Sequence, residues 1–144
     1  MISLPSSFLK EPITHRALHD INKGRPENSR EAVLAAIDAG YGIEIDVQMS
    51  SDGRAIVFHD YDLDRRTHQS GLVRNYTADE ISQMHLRGGP TGPATLSEVM
   101  ELIAGQVPVM IEIKDQTERL EETDGVLERA VCADLLGYNG DVAL

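Results

Sequence analysis

Hydrophobic and polar side chains follow two different periods along this chain. From residue 43 to 48 they alternate strictly, the period of two that is typical of a β-strand. Residues 29–39 instead have apolar side chains at helical spacing, and a glycine follows them where helices commonly end. A Ser-Asp-Gly turn signal at 51–53 connects the strand to a second one at 55–59, so these two strands are predicted to form a hairpin.

The same two periods predict the other elements, which alternate between strand and helix. Further strands are predicted at 12–15, 108–114 and 141–144, further helices at 77–84, 95–105 and 124–136, and a charged, exposed connection at 116–123. Three of the four predicted helices begin with an N-terminal capping pattern. The predicted capping pairs are Asn28 with Glu31, Thr77 with Glu80, and Thr95 with Glu98. Strands that alternate with helices favour parallel pairing, so the fold class is predicted to be α/β.

The length of the chain narrows this prediction to part of a larger fold. A TIM-type (β/α)₈ barrel needs roughly 250 residues, whereas this chain has 144. Only the first three to four strand–helix units are predicted to be present, which corresponds to a half-barrel. No flexible linker divides the sequence, so residues 1–144 are predicted to be one domain, the N-terminal part of such a barrel.

The composition and net charge of the chain exclude some classes of function. Acidic residues outnumber basic ones 24 to 13, giving a net charge of -11, and a field of that sign argues against nucleic-acid binding. An anionic substrate would require a local cationic group, such as a metal ion or a placed arginine. The single cysteine, Cys132, excludes an internal disulfide and is interpreted as a packing residue on its helix. Neither a signal peptide nor a membrane span is recognised, so a cytoplasmic protein is expected.

Carboxylates at the ends of two predicted strands are candidate metal ligands. Glu44 and Asp46 are two residues apart, so both point to one face of their strand. Two adjacent carboxylates repel each other unless a cation lies between them. Glu112 and Lys114 repeat this spacing on a later strand, and three carboxylates from two strands match a site for Mg²⁺ or Ca²⁺. The alternative is that Glu44 and Asp46 simply face solvent on an amphipathic strand.

Two histidines at predicted strand ends are candidates for acid–base chemistry. His15 is followed by Arg16, and His59 is followed by Asp60. Histidine is suited to proton transfer at neutral pH, so the two could act as a general acid and a general base. The remaining histidines, at positions 19, 68 and 85, are interpreted as structural or surface residues.

Together, six short motifs resemble the glycerophosphodiester phosphodiesterase family. In chain order they are His15-Arg16, Pro26-Glu27-Asn28-Ser29, Ile43-Glu44-Ile45-Asp46-Val47, Ser51-Asp52-Gly53, Val57-Phe58-His59-Asp60 and Ile111-Glu112-Ile113-Lys114. The resemblance implies a TIM barrel and the metal-dependent hydrolysis of a glycerophosphodiester to glycerol 3-phosphate and an alcohol. It leaves open relatives of the same chemistry with phospholipase-like substrates.

The resemblance also implies a role for each matched residue. The implied catalytic residues are His15, His59, Arg16 and Lys114; the implied substrate-binding residues are Arg16, Lys114 and the supporting Glu27; and the implied ligands of one divalent cation, Mg²⁺ or Ca²⁺, are Glu44, Asp46 and Glu112. Two departures from the family pattern affect the first loop. Ala17 stands where the family usually has glycine, and residues 18–25 form a longer insert.

Two alternatives to an enzyme follow from the predicted half-barrel. Exposed strand edges are templates for pairing with another chain, so the chain could instead be a non-catalytic half-barrel that forms a homo-oligomer about a two-fold axis. It could also bind a metal ion without turnover.

Overall fold

A parallel β-sheet forms the centre of the fold. The computed structural model describes residues 4–117 and 123–144. Within these residues the strands are β1 (Ile13–Thr14), β2 (Gly42–Met49), β3 (Ala55–Val57), β4 (Val109–Ile113) and β5 (Val142–Ala143). The order β1-β2-β4-β5 is parallel throughout, and β3 pairs with β2 in the antiparallel direction. The predicted hairpin and the predicted parallel pairing are both confirmed.

Helices connect the parallel strands and cover one face of the sheet. The described helices are α1 (Arg30–Ala39), α2 (Ala78–Ser82), α3 (Leu96–Ile103) and α4 (Val126–Asp134). The main core lies between the sheet and helices α1, α3 and α4, where apolar residues of β2 and β4 are fully buried. Because side chains alternate along a strand, the intervening residues Glu44 and Asp46 point to the opposite face. No helix of the described residues is both long and apolar enough to cross a bilayer.

The helix starts agree with the predicted capping pattern at two of three positions. Capping boxes form at α2, between Thr77 and Glu80, and at α3, between Thr95 and Glu98. The predicted cap of α1 is wrong. Its N-cap is Ser29, whose hydroxyl accepts a hydrogen bond from the Ala32 N–H (3.1 Å), so Asn28 is free for another contact.

The strand register brings the predicted ligands side by side. Asp46 on β2 is the direct neighbour of Glu112 on β4. Parallel neighbours in register project their side chains to the same face, at the carboxyl ends where α/β proteins form their sites. The register therefore turns two separate sequence motifs into one cluster.

A second apolar cluster holds the long segment after β3 in place. Ile56 and Phe58 pack with Leu63, Val73, Ile81 and other buried residues of the segment 58–86. The buried Thr67 hydroxyl donates to the Leu63 carbonyl (3.0 Å). The segment after β3 is therefore an ordered layer, and it fixes residues 60–66 near the carboxyl ends of the strands.

Two details of the sequence-based interpretation need correction. Cys132 is exposed and does not pack in the core, because α4 turns other positions, Leu127 and Val131, inwards. Within the predicted exposed connection, residues 118–122 lie outside the described residues, whereas Gln116 and Thr117 are half-buried. The Gln116 amide donates to the Gln48 side chain (3.0 Å), which explains the burial of Gln116.

Candidate active site

Three carboxylates converge at the carboxyl ends of β2 and β4. One oxygen from each of Glu44, Asp46 and Glu112 lies within 4.8 Å of the others. Asp46 is 1% exposed, Glu44 is half-buried, and the side chain of Glu112 is 57% exposed. The solvent-facing interpretation of β2 is therefore wrong for Asp46. The cluster contains one fully buried carboxylate and opens towards solvent at Glu112.

The buried carboxylate has the chemistry of a cation ligand. Burial raises the pKa of Asp46, but contacts with Lys114 and Asn28 outweigh burial and leave the pKa below its usual value. Asp46 is therefore ionised near neutral pH. Its Oδ1 atom is buried and forms an ion pair with the Lys114 ammonium, 2.8 Å away. Hard divalent cations prefer such carboxylate oxygens, so the three residues fit one ion.

Lys114 lies among the same carboxylates. Its ammonium is 2.5 Å from Glu112 Oε1. Burial lowers the pKa of Lys114, but the contacts with Asp46 and Glu112 outweigh burial and raise the pKa above its usual value. Lys114 therefore carries a fixed positive charge beside the predicted metal ligands.

The loop after β1 is folded tightly against the end of β2. Arg16 and Ala17 both have left-handed backbone conformations, with φ values of 55° and 64°. The Arg16 N–H donates to Glu44 Oε2 (2.8 Å), and the Ala17 N–H donates to the Glu44 carbonyl (3.0 Å). Glycine adopts this conformation at least cost, which gives a physical reason for the glycine expected at position 17. His15, next to this turn, is exposed.

Glu27 connects the first loop to the segment after β3. Glu27 is 8% exposed, and its carboxylate contacts three guanidinium groups: those of Arg16 (3.2 Å), Arg65 (2.7 Å) and Arg66. Burial raises the pKa of Glu27, but the arginines outweigh burial and lower it. This position fits the supporting role expected for Glu27, because its carboxylate holds Arg16 next to Asp46, with Nε 3.6 Å from Asp46 Oδ2.

His59 lies beside the carboxylate cluster in an open cleft. The cleft has a volume of about 800 Å³ and is lined by His59, Glu112 and Lys114, among others. His59 Nδ1 is 2.6 Å from Asp60 Oδ1, and Arg65 contacts both oxygens of Asp60. The structure thus brings most of the predicted residues into one region. A separate groove of about 640 Å³ between α3 and the end of α4 contains none of them.

Asn28 is a site residue that the sequence analysis missed. Its side chain is buried, and its amide donates to Asp46 Oδ2 (2.9 Å) while its Oδ1 accepts from the Asp46 N–H (3.3 Å). Asn28 also has a positive φ of 56°, which asparagine tolerates better than most residues. The adjacent Ser29 was an available cap for α1, and this alternative cap was the signal that Asn28 had a different role.

A parallel α/β fold with acidic residues at the carboxyl ends of its strands is typical of the TIM-barrel class of proteins. The sequence model of the glycerophosphoryl diester phosphodiesterase family matches residues 15–138. The chain therefore belongs to the glycerophosphoryl diester phosphodiesterase family, as its motifs predicted.

Curated relatives and solved structures agree with this membership. The chain is 41% identical over 96 residues to a glycerophosphodiester phosphodiesterase of Bacillus altitudinis, covering 62% of the chain and 39% of the relative. A phosphodiesterase of Oleispira antarctica, solved with the product sn-glycerol-3-phosphate, has a TM-score of 0.79 and 26% identity over 94% of the chain and 56% of that structure. A glycerophosphodiester phosphodiesterase of Agrobacterium tumefaciens gives a TM-score of 0.73 and 29% identity over 92% and 55%, respectively.

The chain spans about two-fifths of the curated relative and about half of these solved structures. This coverage confirms the predicted fold class, an α/β half-barrel of the TIM type.

Replacing Asn28 with glycine tests its contact with Asp46. Asn28→Gly should lower the free energy of unfolding by about 1–3 kcal/mol, because a buried carboxylate and a buried N–H each lose a partner. Asn28→Ala should cost about 1 kcal/mol more, since alanine is strained at positive φ. Urea unfolding would measure both. If Asn28→Gly unfolds at the same urea concentration as the unmodified protein, the amide does not hold Asp46.

Acid should weaken the contacts of Asp60. Burial raises the pKa of Asp60, but hydrogen bonds from Arg65 and His59 outweigh burial and lower the pKa from 3.8 to about 2. A lowered pKa gives stability that is complete above the unfolded value and is lost as the pH falls from 3.8 towards 2. The loss should be about 1–2 kcal/mol after discounting for the partial exposure of Arg65.

Urea unfolding between pH 6 and pH 2 would measure this loss. Asp60→Asn should flatten the decline in acid, whereas Asp38→Asn, which removes an exposed carboxylate, should leave it unchanged. A decline in Asp60→Asn parallel to that of the unmodified protein would contradict the assignment.

Proposed function

We propose that this chain forms part of the active site of a metal-dependent hydrolase that converts glycerophosphodiesters to glycerol 3-phosphate and an alcohol. The three clustered carboxylates, together with Arg16 and Lys114, are called the ionic centre. The observation that carries the proposal is the convergence of Glu44, Asp46 and Glu112 with two cationic side chains. The names of the relatives support the substrate class, and the Oleispira antarctica phosphodiesterase was solved with sn-glycerol-3-phosphate as its product.

Glu44, Asp46 and Glu112 would hold one divalent cation. Oxygen ligands of this kind suit Mg²⁺ and Ca²⁺ alike. When bound, the cation would stabilise negative charge on the phosphoryl oxygens. The close approach of three carboxylates, one of them buried, supports this assignment, because like charges at such distances are costly unless a cation lies between them.

Arg16 and Lys114 would bind the phosphate of the substrate. A phosphodiester is an anion, and the chain has a net charge of -11, so attraction must come from local groups. The Arg16 guanidinium is held by Glu27, and the Lys114 ammonium lies between two carboxylates. Both cations are fixed before substrate arrives, which favours stabilisation of charge that develops during the reaction.

His15 and His59 would carry out proton transfer. One imidazole would accept the proton of the nucleophile, and the other would donate a proton to the departing alkoxide. His59 is positioned by Asp60 at the wall of the cleft. His15 is exposed at the end of β1, next to the Arg16 turn.

The direct test is hydrolysis of glycerophosphocholine and glycerophosphoethanolamine by the purified protein. We expect release of glycerol 3-phosphate with Mg²⁺ or Ca²⁺ and its loss with a chelator. Glu112→Gln should lower the apparent metal affinity, whereas Glu101→Gln, an exposed glutamate on α3, should not. A folded sample that releases no product with any metal would contradict the proposed reaction.

His15→Ala tests the acid–base assignment. Activity should fall by roughly 10²–10⁴-fold, because the substitution removes a proton-transfer group, while metal binding measured by calorimetry should be unchanged. His85→Ala removes another exposed histidine and serves as the matched control. If His15→Ala retains full activity, His15 is not the acid or the base.

A further inference from the structure

A continuous chain of charged contacts joins His59 to Arg16. His59 Nδ1 lies 2.6 Å from Asp60, and Asp60 is bound by Arg65 through Nε (2.6 Å) and NH2 (2.7 Å). The same NH2 group of Arg65 donates to Glu27 Oε1 (2.7 Å), which also accepts from Arg16 (3.2 Å). One guanidinium therefore connects a histidine of the cleft to an arginine of the ionic centre.

The ionised state of Asp60 determines the form of His59. Burial raises the pKa of Asp60, but its bonds to Arg65 and His59 lower it to about 2, so the carboxylate only accepts hydrogen bonds near neutral pH. The proton between the two groups must therefore lie on His59 Nδ1. In a neutral imidazole this leaves the lone pair on Nε2, which can then accept a proton.

Arg65 is the group that holds Asp60 in this orientation. A planar guanidinium that binds both oxygens of a carboxylate fixes its rotation as well as its charge. The Arg65 backbone is held by the buried neighbours Leu63 and Thr67. The far side of the guanidinium is bound to Glu27, which belongs to a different loop and is 38 residues away in sequence.

We propose that Arg65 is a positioning residue for the hydrolysis: through Asp60 it keeps His59 in the Nδ1–H form with Nε2 available in the cleft, and through Glu27 it orients the Arg16 guanidinium. The catalytic consequence rests on the proposed function. When Nε2 accepts the proton of the nucleophile, the positive charge that forms on His59 is offset by Asp60, and Arg65 keeps that carboxylate in place.

The tautomer of His59 can be measured without turnover. The purified protein with ring-nitrogen-labelled histidine would be observed by NMR, and the His59 signals assigned from their loss in His59→Gln. We expect the Nδ1–H tautomer in the unmodified protein and a shift towards Nε2–H in Asp60→Asn, because an asparagine amide can donate to Nδ1. Arg65→Gln should produce a shift in the same direction.

Two further variants separate positioning from general damage to the fold. Arg65→Lys keeps the charge but loses the bidentate contact, so its tautomer signal should fall between those of the unmodified protein and Arg65→Gln. Arg87 is an exposed arginine on the neighbouring segment, where its backbone N–H donates to the Arg66 carbonyl (2.7 Å). Arg87→Gln should leave the His59 signals unchanged.

Steady-state kinetics would separate the effect of the contact between Arg65 and Asp60 from that of the contact between Arg65 and Glu27. Asp60→Asn should lower kcat at least tenfold with KM unchanged within twofold, since it affects proton transfer. Arg65→Gln should lower kcat and also raise KM at least threefold, because Arg16 loses its orientation. An unchanged His59 tautomer in folded Arg65→Gln and Arg65→Lys would overturn the proposal. The expected tautomer shifts in a protein that hydrolyses no glycerophosphodiester would support the role of Arg65 and contradict the proposed reaction instead.

Discussion

The site depends on one buried ionised carboxylate, that of Asp46. Removing a charge from water is costly unless the charge is paired and hydrogen-bonded, and Asp46 is 1% exposed. Its neighbours meet this requirement in part: Asn28 donates to one oxygen and Lys114 lies beside the other. Glu44 and Glu112 each place one carboxylate oxygen within 4.8 Å of an Asp46 oxygen. The strained left-handed turn at the end of β1 is explained by the same requirement, since it brings Arg16 to this group.

The arginine side chains near the site are held in place by carboxylates of the same chain. Glu27 and Asp60 do not face the three predicted ligands; they bind the guanidinium groups of Arg16, Arg65 and Arg66. Because negative carboxylates and positive guanidinium groups alternate in this network, several like charges lie close together at little electrostatic cost. It also means that a net charge of -11 does not describe the local field, because the positive groups are concentrated where the loops after β1 and β3 meet.

The sequence predicts what depends on periodicity and register and misses what depends on distant contacts. Strict alternation along β2 identified Glu44 and Asp46 as partners, and parallel pairing was sufficient to bring Glu112 beside them. The cap of α1 was wrong because two adjacent residues, Asn28 and Ser29, suit a cap equally in local terms. Only the contact of Asn28 with Asp46, 18 residues away, separates them. The link from Arg65 to Glu27 crosses 38 residues and follows no period.

The three carboxylates of the ionic centre differ in their exposure to solvent, so the centre has an enclosed end and an open end. Asp46 is enclosed, Glu44 is half-buried against the first loop, and Glu112 has a side chain that is 57% exposed. The cleft of about 800 Å³ begins at this exposed end and is lined by Glu112, Lys114 and His59. A phosphate that approached from the cleft would therefore meet a cation and the imidazole on the same side. The enclosed end is held by contacts within the chain, so the fold sets the geometry of the centre, while its open side faces the cleft.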